Sequence, residues 1–137
     1  MKQVTNTILM IRPVSFRMNE QTAVNNYYQK VMESLSPESI QFKALQEFDS
    51  FVEKLRKLGV HVIVINDTKE RDTPDSIFPN NWVSFHQNEK IIVYPIKAEN
   101  RRLEKRADIV ETLSQLYDNP EVIDLSHFEE KDQFAQS

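Results

Sequence analysis

"KALQEFDSFVEKLRKLGVHVIVIN", residues 43–66, is the stretch that decides the fold class. Its apolar residues first recur at helical spacing, as Phe48 and Val52 do, and after Gly59 they follow one another almost without interruption. The first pattern predicts an amphipathic helix that starts at about Lys43 and has Gly59 as its C-cap. The second pattern is typical of a strand that is covered on both faces. A helix that leads directly into such a strand indicates an α/β protein.

The segments on either side continue this alternation of helices and strands. Before the stretch, an apolar run at 8–11 predicts a strand, and the pattern from Ala23 to Leu35 predicts a helix that Pro37 ends, with Asn19 or Thr22 as its cap. After it, the patterns predict a loop at 67–80, a β-hairpin formed by 82–86 and 90–96, a helix capped by Asn100, and a strand at 121–125. This order predicts an α/β fold with a mixed sheet, and the length predicts one domain over 1–137.

The composition excludes several classes of function. The chain has no cysteine, so it contains no disulfide, no thiolate metal site and no thiol nucleophile. It has a single glycine, which excludes the glycine-rich loops that bring backbone amides close to phosphates. The net charge of −4 argues against nucleic acid or a membrane surface as a partner. The N-terminal apolar run is too short for a signal peptide or a spanning helix, so a cytoplasmic location is expected.

The histidines and serines do not predict a metal centre or a hydrolytic triad. His61, His86 and His127 fall on different predicted elements and lack the spacing of a helical metal site. The serines have no nucleophile-elbow context. We therefore predict no metal and no cofactor.

"TPDSIFPNNW", residues 73–82, combines polar residues and prolines just before a predicted strand. Asp75 would accept N–H bonds as an anion, and Asn80 and Asn81 each offer a carbonyl acceptor and two donors, so the three side chains could converge on a small planar group. The same residue types also favour turns, and Trp82 could belong to the core. The residue types alone leave both interpretations open.

"NRRLEKR", residues 100–106, has two interpretations as well. A basic cluster at the start of a helix is commonly a solvated surface. Arg101 or Arg102 could instead bind a carboxylate through two parallel, charge-assisted hydrogen bonds. Cations gain nothing from the dipole at a helix N-terminus, which favours a dedicated partner for one of them.

Four blocks that occur in order resemble the N-terminal part of amidinotransferase-like proteins of the arginine deiminase superfamily. They read "ILMIRPVSFRMNEQTAVNNYYQ", "PDSIFPNNWVSFH", "IIVYPIKAENRRLEKR" and "VIDLSHFEEKDQF". The "FPNNW" signature places the chain closest to the citrulline-hydrolysing branch. The resemblance implies the pentein fold, a propeller of five ββαβ-type modules around a central pocket, of which this chain would supply about two.

The resemblance also implies roles for individual residues. Asp75 and the pair Asn80 and Asn81 would bind the guanidino or ureido end of an arginine-like substrate, and Arg101 or Arg102 would bind its α-carboxylate. Relatives that act on cationic guanidinium often carry acidic residues at the two asparagine positions. A carboxamide pair suits a neutral ureido group, which indicates citrulline over arginine.

The chain departs from the family pattern where the chemistry is expected. Family enzymes use a cysteine nucleophile, a histidine and an acidic residue, and here Ala135 and Gln136 replace the expected Leu and Glu. The resemblance therefore implies a substrate-binding portion that is truncated before the catalytic residues and is inactive alone, or that pairs with a complementary C-terminal chain. The alternative is a non-catalytic α/β binding domain that self-associates or binds a partner chain. An unrelated α/β fold is the third interpretation.

Overall fold

The computed structural model describes residues 5–17, 19 and 35–134. It contains two compact units, of which the first ends at Phe78 and the second begins at Pro79. We describe each unit by itself, and one domain over 1–137 stays a prediction. The helix predicted before Pro37 falls largely outside the described residues.

The first unit contains a two-stranded parallel sheet and one long helix. Strand β1 (Thr7–Arg12) pairs with β2 (His61–Asn66), residue by residue from one end to the other. Helix α1 (Pro37–Lys57) connects to β2 and lies against it. The predicted strand at 8–11, the strand predicted after Gly59 and the helix predicted before Gly59 are thereby confirmed.

The start of α1 differs from the prediction. Proline fits the first turn of a helix, where its missing N–H needs no partner, and the side chain of Ser36 accepts the N–H of Ser39 as an N-cap. The helix therefore begins at Pro37 rather than at Lys43. That Pro37 also ends an earlier helix stays a prediction. At the other end Gly59 has φ +84°, the left-handed conformation that the sequence predicts after the last turn.

The apolar side chains of the first unit are only partly covered. Val52 of α1 and Val62 of β2 are buried, whereas Phe51 is 54% exposed and Leu58 is 82% exposed. Phe51 and Leu58 are seven residues apart and lie on the same side of α1. The centre of β2 is half-buried, so the expectation that both faces of this strand are covered is wrong for the part of the unit that the structure describes.

The second unit has the element order β, β, α, α, β, with a 3₁₀ helix at each end. A 3₁₀ helix (Pro79–Asn81) leads into β3 (Val83–His86) and β4 (Lys90–Val93), followed by the short helices α2 (Glu99–Arg102) and α3 (Ala107–Ser114), by β5 (Glu121–Asp124) and by a second 3₁₀ helix (Ser126–Lys131). Strand β4 pairs antiparallel with β3 and parallel with β5. The predicted hairpin, the last strand and the mixed sheet are confirmed.

The helix predicted from Asn100 onward is instead two helices. A turn with hydrogen bonds between residues three apart follows α2. In it, the N–H of Glu104 donates to the Arg101 carbonyl and the N–H of Lys105 donates to the Arg102 carbonyl. Glu104, at this break, is buried. Asn100 consequently lies within α2 and does not cap a long helix.

The core of the second unit draws on both the sheet and α3. Val83 and Val93 face each other across the hairpin, and Ile91 lies on the same side of the sheet two residues along β4. Trp82, directly before β3, is only 1% exposed, which confirms its place in the core. The buried residues that α3 contributes are Ile109 and Leu113.

Candidate functional site

Asp75 lies in the first unit, on a loop that is held by buried polar contacts. The hydroxyl of Thr73 donates to a carboxylate oxygen of Asp67 at 2.9 Å, and both residues are buried. The backbone N–H of Phe78 donates to the Asp75 carbonyl at 3.0 Å and closes a turn around the aspartate. Pro74 also lies among the most deeply buried residues. The loop therefore positions Asp75 on a well-braced piece of backbone.

The carboxylate of Asp75 has a buried hydrogen-bond donor, Asn19. The Nδ2 group of Asn19 donates to Oδ2 of Asp75 at 2.6 Å, and Asn19 is 1% exposed. This hydrogen bond from a buried amide fixes the orientation of the half-buried carboxylate. Sequence analysis treats Asn19 only as a candidate helix cap. The resemblance block that contains it was the one signal that could have linked it to the "DSIFPNNW" loop.

Asn80 and Asn81 lie in the second unit, at its first turn. The 3₁₀ helix Pro79–Asn81 exposes both side chains and directs the next residue, Trp82, into the core. The backbone N–H of Trp82 donates to the Pro79 carbonyl at 3.0 Å, which fixes this turn. The asparagine pair is thus both a turn, as the residue types indicate, and a pair of presented amides.

The side chain of Arg101 is hydrogen-bonded to the side chain of Asn81. One of its terminal nitrogens, Nη2, donates to Oδ1 of Asn81 at 3.0 Å. The same guanidinium holds both carboxylate oxygens of Glu104, with Nε to Oε1 at 2.9 Å and Nη2 to Oε2 at 3.1 Å. The Glu104 side chain is 1% exposed. The sequence does not identify Glu104 as a functional residue, because an acidic residue in "NRRLEKR" looks like an ordinary surface charge.

Arg102 is held by backbone oxygens rather than by another site residue. Its Nε donates to the Ile96 carbonyl at 2.8 Å and its Nη2 donates to the Lys97 carbonyl at 3.3 Å. The carboxylate of Glu129 lies 3.7 Å from Nε and also pairs with Lys105. Glu129 lies in the C-terminal segment, for which the sequence shows no periodicity, so its contacts cannot be inferred from the sequence.

The structure therefore brings Asn81 and Arg101 together, and it joins Arg102 to neither of them. Asp75 belongs to the other unit, so the assembly of all five residues into one pocket stays a prediction. An open groove of about 590 Å³ lies between α1 and β2, and none of the five residues lines it. In the described part of the chain, no helix is long and apolar enough to cross a membrane, and no three metal-ligating side chains form a group.

Comparison with known proteins identifies the family. Residues 12–137 match the sequence profile of the family described as "N,N dimethylarginine dimethylhydrolase, eukaryotic". The chain belongs to this dimethylarginine dimethylhydrolase family. Its membership confirms the resemblance to the amidinotransferase or pentein superfamily. The description of the family names dimethylarginine and not citrulline. The assignment of this chain to the citrulline-hydrolysing branch therefore stays a prediction.

A solved structure supports the fold of this dimethylhydrolase-family member. The crystal structure of the ternary complex of AgrE with ornithine and NAD⁺ matches with a TM-score of 0.61 and 17% sequence identity. The match covers 88% of this chain but only 16% of the AgrE chain. No curated protein matches the sequence. The comparison shows a shared mixed α/β fold, while the complete propeller stays a prediction.

Proposed function

We propose that these 137 residues form the substrate-recognition portion of an enzyme that acts on the guanidino or ureido group of arginine or citrulline. The observation that carries the proposal is the Asp75 carboxylate, held by the buried amide of Asn19 at 2.6 Å. Since the chain contains no cysteine, the nucleophile of such an enzyme would come from other residues. Under this proposal the 137 residues bind the substrate and do not convert it.

The surroundings of Asp75 suit recognition of a group with several N–H donors. The braced loop keeps the carboxylate in one orientation before any ligand arrives, which reduces the entropy lost on binding. A carboxylate accepts N–H bonds from guanidinium and from the amide groups of a ureido end alike. Asp75 would therefore bind the common part of both substrates, and other residues would distinguish between them.

The second unit would supply the remaining contacts. Asn80 and Asn81 would meet the same end of the substrate, and Arg101 or Arg102 would bind its α-carboxylate. The family name refers to dimethylarginine and the AgrE complex contains ornithine, and both molecules are arginine-related amino acids. These names support the class of ligand, an amino acid with a guanidino, ureido or amino end.

The ββαβ order of the second unit supports a place in a pentein propeller. We propose that the chain contributes about two of five such modules, that 1–137 acts as one domain, and that a complementary chain or segment completes the pocket. We also propose a cytoplasmic location. The proposal requires no metal, cofactor or nucleic acid.

Calorimetric titration of the 137-residue chain with L-citrulline, L-arginine and N,N-dimethyl-L-arginine tests the proposal. Asp75→Asn keeps the shape and removes the charge, and a lost charge-assisted hydrogen bond weakens binding by about tenfold or more. Asp72→Asn is the matched control, because Asp72 lies on the same loop but pairs with Arg17. We expect the control to bind like the wild type.

Three results would contradict the proposal, and the first is a wild type that binds none of the three ligands. Equal binding by wild type and Asp75→Asn would remove Asp75 from the site. Release of ornithine or citrulline by the isolated chain, abolished in Asp75→Ala, would show that these residues convert substrate without a cysteine.

Exposed apolar side chains favour a second candidate, a non-catalytic domain that self-associates or pairs with another chain. Phe51 of α1 and Leu58, which follows its last residue, both expose apolar side chains. Exposed patches of this kind often mark interaction surfaces. Size-exclusion chromatography with light scattering would detect a dimer, and a monomer at high concentration would count against this candidate.

A further inference from the structure

The amide of Asn81 has a defined orientation in the second unit. Its Oδ1 accepts a hydrogen bond from Nη2 of Arg101 at 3.0 Å. A guanidinium carries donors and no acceptor, so the oxygen must be the amide atom that faces Arg101. The Nδ2 group consequently points the other way, on a residue whose side chain is exposed. Asn81 therefore presents N–H donors, and not its carbonyl, to an approaching ligand.

Glu104 determines where Arg101 lies. Its two oxygens accept Nε and Nη2 of Arg101 at 2.9 and 3.1 Å, which is a bidentate pair. The carboxylate is 1% exposed, and a buried carboxylate is strongly destabilised when it loses its charged partner. Rotation of Arg101 away from Asn81 would break this pair. The buried glutamate thus fixes the arginine, and the arginine fixes the amide.

We propose that Glu104 is a positioning residue that acts through Arg101 to make Asn81 a selective hydrogen-bond donor, so that this position accepts a ureido oxygen and disfavours a guanidinium. The inference rests on the proposed function, in which Asn81 meets the reactive end of the substrate. A ureido group carries a carbonyl acceptor for the Nδ2 donors. A guanidinium carries only donors, so it offers the Nδ2 group no acceptor.

This arrangement refines what an asparagine at position 81 implies. An unconstrained amide can rotate and offer either its oxygen or its nitrogen, and it would then accept both ligand types. The selectivity therefore depends on the Glu104–Arg101 pair and not on the asparagine alone. Asn81→Asp would replace the donors with an acceptor, and it should shift the preference towards arginine.

The experiment measures the ratio of the dissociation constants for L-arginine and L-citrulline, using the full 137-residue chain. Both ligands share the α-carboxylate, so the ratio cancels any effect of Arg101 on that end. We expect Glu104→Gln and Arg101→Lys each to lower the preference for citrulline by about fivefold, the loss of roughly one hydrogen bond. Asp108→Asn is the control, because it removes a bidentate pair with Arg106 in the same unit.

The outcomes separate this inference from the proposed function. A wild type that binds neither ligand overturns the proposed function. A wild type that binds citrulline, with ratios in Glu104→Gln and Arg101→Lys within twofold of it, overturns the positioning role alone. Side-chain ¹⁵N NMR adds a second readout, since Glu104→Gln should shift the Asn81 Nδ2 resonance while Asp108→Asn leaves it in place. Fluorescence of the buried Trp82 verifies that each variant is folded, and Arg101→Lys carries the test if Glu104→Gln does not fold.

Discussion

Replacement of Glu129 by alanine should destabilise the segment that carries Arg101 and Arg102. Oε1 of Glu129 accepts the backbone N–H of Ile96 at 2.9 Å and contacts the ammonium group of Lys105. The side chains of Glu129 and Lys105 are 13% and 14% exposed. Glu129→Ala would leave the buried Ile96 amide without this acceptor and would remove the Glu129 carboxylate from the largely buried ammonium of Lys105.

The structure sets the size of the expected loss. Breaking a fully buried ion pair costs about 3–5 kcal/mol. The partial exposure of this pair, and the bond that Lys105 keeps to the Ser126 hydroxyl at 3.1 Å, favour the lower end, about 3 kcal/mol. Glu129→Gln keeps an acceptor for the Ile96 amide and loses only the charge, so we expect a loss of about 1–2 kcal/mol.

Urea unfolding measured by Trp82 fluorescence tests this expectation, because Trp82 is the single tryptophan and lies buried in the same unit. A double-mutant cycle with Lys105→Met should give a coupling free energy of at least about 1 kcal/mol. Glu130→Ala, at an exposed neighbouring carboxylate, should change the free energy of unfolding by less than about 0.5 kcal/mol. Additive effects of Glu129→Ala and Lys105→Met, or a loss no larger than in the Glu130 control, would refute the reasoning.

Two further predictions concern the first unit. Arg12 binds both oxygens of Asp49 at 2.9 Å and thereby lowers the pKa of that carboxyl. The exposed pair contributes about 0.5–1 kcal/mol to the stability of the folded chain. This contribution is present above the unfolded pKa of Asp49 and is lost as the pH falls through its folded pKa. Thermal unfolding of wild type and Asp49→Asn should therefore differ at pH 7 and converge once the pH falls below the folded pKa of Asp49, and a difference that persists in stronger acid would contradict this. Gly59→Ala should destabilise the chain by about 1 kcal/mol, because φ is +84° and the added methyl group meets no atom within 4 Å, so that only backbone strain contributes. Lys57→Ala serves as the control in chemical denaturation, and a neutral Gly59→Ala would refute the left-handed conformation.

The spacing of apolar residues and the residue types of turns predict the helices and strands of this fold where local side chains determine the backbone conformation. The β-branched run 60–66 and the positive φ of Gly59 follow directly from the residues. The break between α2 and α3 does not, because the apolar spacing of the segment continues across it and predicts one helix. The burial of Glu104 and its ion pair with Arg101, three residues away, also have no counterpart in hydrophobic periodicity.

The candidate site shows the same division. Asp75 and Asn81 stand out by residue type and by their place in the "DSIFPNNW" block. Their supports, Asn19 and Glu104, do not, because a buried amide and a buried carboxylate are recognisable only from their burial and from the atoms they bond. A sequence can therefore indicate which groups meet a ligand, while the residues that orient those groups emerge from the coordinates.

The parallel pairing of β1 with β2 has a consequence for the folding kinetics of the chain. Thr7 pairs with His61 across the whole of α1, whereas His86 pairs with Lys90 across a three-residue turn. Closing the longer loop loses more chain entropy before any contact forms, and non-local pairing folds slowly. The β3–β4 hairpin should therefore form on the microsecond timescale of isolated hairpins. The pairing of β2 with β1 should form later. During that interval the apolar run of β2 is open to intermolecular pairing, so aggregation during refolding should begin in the first unit.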